Sequence, residues 1–174
     1  ESIADTQGEA KTQMLVDKIK EARDSAEISA KKVVTALPEA SIFSRIITVP
    51  NIEGKKLEDS IFYEAKQYLP IPLSEAQIDY IPAGKRMIEG KEFMQIFLVA
   101  APKTIVEKYL GIMAKAGLEL IAIETESIAT TRSVTFGNPF NGSELVMDFG
   151  SKGADLSVIK DNKLIFSQSI GTGS

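Results

Sequence analysis

The chain has no cysteine and no histidine among its 174 residues. Without cysteine there is no disulfide framework, no thiolate nucleophile and no cysteine metal site. Without histidine the commonest general base and the commonest zinc ligand are both absent. That leaves carboxylates, lysines and hydroxyls for any chemistry and excludes a Ser-His-Asp triad. No apolar run approaches the roughly 20 residues that cross a bilayer, and no charged-then-apolar leader opens the sequence. Basic residues are in deficit as well, 20 against 24 acidic, and the net charge of -4 draws the chain neither to nucleic acid nor to anionic lipid.

What is present suffices for a core. A hydrophobic content of 44% over this length supports one ordinary domain or two small ones. The sequence reads as cytoplasmic. Because it opens on Glu1 and stops at Ser174 just after an apparent strand, it also reads as a piece of a longer protein.

Periodicity sets the order of elements. Met14, Leu15, Ile19, Ala22 and Ala26 predict an amphipathic helix over about 11–27. KKVVTALP predicts a buried strand ended by Pro38, and Ile42 to Val49 a second strand ended by Pro50. Leu57, Ile61, Ala65 and Tyr68 predict a helix over 56–69 with those residues in the core. Pro70 and Pro72 stop it, since proline lacks an amide donor and drives its predecessor to extended geometry. AQIDYIPAGKRMI and KEFMQIFLVAA flank Glu89-Gly90 as a hairpin; Pro102 opens and Gly117 closes a helix. LELIAIE then predicts a strand, residues 125–135 a short helix, and 144–169 three closing strands. Alternation of this kind predicts a mixed α/β layered fold.

The segment MDFGSKGAD carries the most chemistry. Asp148 ends a strand, and Gly150, Ser151, Lys152 and Gly153 make a turn whose glycines let backbone amides approach an anion closely. The Asp148 carboxylate suits a hydrated metal ion that bridges to phosphate. An ordinary hairpin with a polar loop is the plainer alternative. Glu124 and Glu126 fit the electrostatic cap of a helix better than an acid/base dyad, and Lys85, Arg86 and Lys91 fit a solvated turn better than a nucleic-acid patch.

Four stretches carry a wider resemblance: KKVVTALPEASIFSRIITVP, FYEAKQYLPIPLSEAQIDY, FLVAAPKTIVEKYLGIMAKAGLELIAIETESIA and ELVMDFGSKGADLSVIKDNKLIFSQSIG, with EAKQYLPIPL the most specific part. In order and spacing, over residues 12 to 171, the sequence resembles the actin, sugar-kinase and heat-shock-chaperone superfamily, and within it the FtsA/PilM family of actin-like type IV pilus assembly proteins. The resemblance implies an actin-like fold fragment with residues 1–38 ending subdomain 1A, 39–117 forming an inserted strand-helix-strand-strand 1C subdomain, and 118–174 beginning 2A. It implies a scaffold at the cytoplasmic face of the inner membrane, attached through its partners and not itself inserted. Those partners would be the cytoplasmic N-terminal peptide of PilN, held between 1A and 1C, and other platform and motor proteins of pilus assembly.

For ATP and Mg, bound only by the full-length protein, the resemblance implies Asp148 near the metal and Gly150 near the phosphates, with little or no ATPase activity. Ala154 stands where relatives carry a threonine, and Thr172 separates Gly171 from Gly173 where relatives pair two glycines, so phosphate contact is left to backbone amides. An ATPase or kinase, an FtsA-like cell-division protein and a type II secretion protein are the alternatives. For the PilN groove, strand alternation and helix phase place Arg45 and Glu64 at the rim; the alternative is an exposed charge pair worth about 0–1 kcal/mol.

Overall fold

The computed structural model describes residue 3 and residues 7–137, 139, 141–151 and 153–171. The chain order is α1 (Glu9–Ser25), β1 (Lys32–Leu37), a short 3-10 turn (Glu39–Ser41), β2 (Phe43–Pro50), α2 (Lys55–Tyr68), a second 3-10 turn (Leu73–Glu75), β3 (Ala76–Ile88), β4 (Lys91–Pro102), α3 (Lys103–Lys115), β5 (Glu119–Thr125), α4 (Glu126–Thr135), β6 (Ser143–Gly150), β7 (Gly153–Lys160) and β8 (Lys163–Gly171). This is the mixed α/β order expected. Glu89 and Gly90, at φ 49 and 77, turn the β3–β4 hairpin, and Pro102 sits immediately before α3 as its N-cap.

Three sheets organise the chain. β1 and β5 pair in parallel, so residues on either side of the β2–α3 stretch share one sheet. β2, β4 and β3 form an antiparallel sheet with β4 in the middle, and β6, β7 and β8 form an antiparallel meander.

The middle sheet has two distinct faces, fixed by register. Ile47 pairs with Ile96, Arg45 with Leu98 and Leu98 with Tyr80, so these residues share a face. Ile47, Val49, Ile96 and Leu98 on that face bury against Ile61 and Ala65 of α2, each full burial contributing about 1.5–3 kcal/mol. The other face presents Phe97, Val99 and Ala101 of β4 with Gln77, Asp79 and Ile81 of β3.

Several expected core positions differ. α1 buries Val16 with Leu15 and Ile19 beside it, against Ile112 of α3 and Ala116 that caps it, while Met14 is exposed. β1 is not a buried strand throughout: Val34 is 50% exposed, because among the described residues no layer covers that side of the β1–β5 pair. Tyr68 lies in the last turn of α2 and is 38% exposed; its ring carries the Arg45 guanidinium 4.0 Å from the centroid.

Candidate functional site

Two clefts meet at one wall. The first, of about 670 Å³, lies between the 3-10 turn after β1 and the tip of the β6–β7 hairpin. Gly150, Ser151 and Gly153 line one side and Glu39, Ala40 and Ser41 the other, with Asp155 and Glu126 between them. β6 runs on to Gly150, two residues past the expected end at Asp148, so the glycines close the strand pair instead of forming a long loop. At Gly153, φ 158, a Cβ would collide with the Ile170 carbonyl oxygen, so only glycine fits there.

Asp148 stands opposite Asp155 in the ladder, and the two line a small recess with Glu126. Burial raises the Glu126 carboxyl above its ordinary range; the Asp155, Glu39 and Asp148 carboxylates add to the shift, and a hydrogen bond from the Glu39 amide opposes it. Among the described residues no three carboxylates converge to ligate an ion directly. A hydrated Mg²⁺ needs only one or two carboxylates when phosphate oxygens complete its shell, and it would relieve the repulsion between this acidic recess and a phosphate. The residues therefore fit a magnesium-bridged phosphate.

Of the expected phosphate-side residues, Gly150, Ser151 and Gly153 line the cleft and Asp148 the adjoining recess; Lys152, like Thr172 and Gly173, lies outside the described residues. Ala154 pairs with Phe149 and Ile170 on the opposite face of the meander, so its side chain points away from the cleft. Sequence reasoning missed Glu39 and Asp155 and dismissed Glu126. Register would have found Asp155, because pairing of Gly150 with Gly153 sets it across from Asp148.

Glu39 ties the wall together. It is 5% exposed, and its carboxylate accepts hydrogen bonds from Ser44 at 3.2 Å, from Ser127 at 2.7 Å and from Ser167. Its amide donates to Glu126 at 3.3 Å. One side chain thus joins β2, α4 and β8.

The second cleft, of about 310 Å³, lies on the other side of that wall. Leu37, two residues before Glu39, and Thr125, one before Glu126, line it together with Ile128, while Phe97, Val99 and Ile81 form its other side. It faces the side of the middle sheet turned away from α2. Among the described residues β3 pairs with β4 alone, so its other edge has no partner strand beside this groove. The Thr125 hydroxyl caps α4 by accepting from the Ile128 amide at 3.1 Å.

Glu124 and Glu126 form no dyad: Glu126 faces the first cleft, whereas Glu124 lines the second and pairs with Arg132, whose hydrogen bonds hold its carboxyl below the ordinary range. Arg45 and Glu64 do not line this groove, because β2 turns Arg45 toward α2, across the sheet from it, and Glu64 is on α2 itself. Among the described residues no ion pair joins them. Lys85 pairs with Glu92 at 2.8 Å, so the small basic cluster is partly neutralised. No helix among the described residues is long and apolar enough to cross a membrane.

Comparison with known proteins agrees with this fold. A family model described as type IV pilus assembly protein PilM matches residues 1–173. A solved structure described as the PilM-PilN type IV pilus biogenesis complex is similar at a TM-score of 0.80 and 25% identity, over 93% of this chain and 49% of that one. The cytoplasmic domain of EpsL, an inner membrane component of the type II secretion system of Vibrio cholerae, shares the fold at a TM-score of 0.59 and 13% identity, over 90% of this chain and 56% of that one. The chain spans about half the length of the solved chains it matches.

Proposed function

Because this chain belongs to the PilM family of type IV pilus assembly proteins, we propose that it works as an actin-like adaptor which holds an extended cytoplasmic segment of PilN. The groove on the sheet face away from α2 would be the binding site. The observation that carries this reading is the combination of an apolar floor, Phe97, Val99 and Ile128, with a free strand edge on β3. An extended peptide adds main-chain hydrogen bonds along such an edge and seats alternate side chains on the floor. The solved relative's description as a PilM-PilN complex supports the same partner. The rim expected at Arg45 and Glu64 is a different surface, on the α2 side of the sheet.

The first cleft is proposed to take the phosphates of ATP in the whole protein, with Mg²⁺ between them and Asp148 or Asp155. When bound, the ion would neutralise phosphate charge; Gly150 and Gly153 leave room for close approach of the backbone. Attachment to the inner membrane would come through partners.

Titration calorimetry of the N-terminal PilN segment from the same genome into this chain tests the adaptor reading. Binding by wild type and its loss in Val99→Arg, with folding intact by circular dichroism, is the expected pattern. Equal affinity in both proteins would move the site off this groove.

A further inference from the structure

The groove does not end at Ile81 and Ile128. The same two residues line a further recess of about 290 Å³ beneath α4 and beside the β7–β8 turn, and at its wall sits Thr131, 7% exposed. The Thr131 Oγ1 is buried without a hydrogen-bond partner among the described residues. A buried hydroxyl left unsatisfied costs about 1–3 kcal/mol, so a polar group that reached Thr131 through the recess would recover that cost. Lys163 and Arg132 line this recess and, among the described residues, no carboxylate does. Arg132 is already engaged by Glu124, which lies in the first part of the groove, and the remaining cation is Lys163. At the other end Asp79 presents an exposed carboxylate that accepts a hydrogen bond from the next amide of its own strand, that of Tyr80.

Resting on the adaptor reading, we infer that the groove and this recess form one polarised track for a single extended segment. That segment carries a basic residue over Asp79, an apolar stretch on the floor, and a carboxylate side chain at Lys163 with a polar group on Thr131 Oγ1. From Asp79 to Ala83, four strand steps cover about 13 Å, so the two charged residues of the occupant stand about four residues apart. The strand geometry explains how it leaves β3: the ladder slips register between Pro82 and Gly84, and Pro82 has no amide to offer an added strand. Pairing therefore runs over residues 77–81, where the occupant takes over the Tyr80 amide from the Asp79 carboxylate, and the segment then turns off the edge into the recess under α4.

The chain has no cysteine, so one introduced at Gln77 or at Lys163 takes a single nitroxide label. With the isotope-labelled N-terminal PilN segment as probe, the label at 77 broadens one end of the peptide and the label at 163 broadens the opposite end. Lys163→Glu lowers affinity about fivefold. Thr131→Val raises the melting temperature of the free chain, since it removes an unsatisfied hydroxyl, yet also lowers peptide affinity about fivefold; a purely structural residue would not move these in opposite senses. If the label at 77 broadens the peptide while the label at 163 does not, and Lys163→Glu binds within twofold of wild type, the extension is wrong and the adaptor reading stands. If wild type fails to bind, or neither label broadens the peptide, both are wrong.

Discussion

Ser127 donates a 2.7 Å hydrogen bond to Oε2 of Glu39, joining residues 88 apart in sequence across the wall between the two clefts. Ser44 and Ser167 complete the cradle on Oε1. Removing the acceptor leaves three buried or half-buried hydroxyls to find new partners. Glu39→Ala is expected to destabilise the chain by about 1–3 kcal/mol, read as a lower urea midpoint at unchanged m-value. An unchanged midpoint would mean that the cradle does not hold the wall.

The raised carboxyl of Glu126 gives a pH-dependent test. Its folded value lies above its unfolded one, so the folded state binds more protons in between. The resulting destabilisation is absent below the unfolded range, grows as pH rises through it, and is complete above the folded value. Glu126→Gln keeps an acceptor for the Glu39 amide and removes the charge. Its melting temperature should exceed wild type by a few degrees at pH 7 and converge on it at acid pH. A difference independent of pH would show that charge is not the cause.

The acidic recess makes a distinct prediction for nucleotide. In the whole protein, Asp148→Ala should weaken ATP binding in the presence of Mg²⁺ by about tenfold or more and have a much smaller effect in chelator, because its role is toward the ion. Equal losses in both conditions would assign Asp148 a structural role only.

One face of the meander is open. Leu145, Met147 and Phe149 of β6 line up with Leu156 of β7 and Phe166 and Ile170 of β8, and Phe149 is 76% exposed. A contiguous apolar face of this kind favours self-association of the chain. Phe149→Lys combined with Met147→Glu should lower 1-anilinonaphthalene-8-sulfonate fluorescence and the scattering seen at high concentration. No change in either would mean that the face is covered in solution.

The order of elements was legible because each boundary has a local chemical cause: Pro70 after α2, Glu89-Gly90 between β3 and β4, Pro102 and Gly117 around α3. The turn from β6 into β7 was legible for the same reason, since Asp148, Gly150 and Gly153 lie within six residues of one another. The face of the middle sheet was not. β2 carries Ile46 on one side and Ile47 on the other, and only the docking of α2 on the Ile47 side decides which face stays open. That choice carried Arg45 away from the groove. Glu39 and its serines were hidden more deeply, because Ser167 stands 128 residues away and no local pattern connects them.

Hydrogen–deuterium exchange of this chain, alone and saturated with the N-terminal PilN segment, tests the central claim most directly: that the partner groove lies on the face of the β2–β4–β3 sheet turned away from α2. Amides of residues 77–81 on the free edge of β3 and 123–128 at the β5–α4 junction should gain protection, while those of α2 and of β2 around Arg45 should not change. Protection confined to α2 and β2, with 77–81 unchanged, would place the partner on the opposite face and contradict the account.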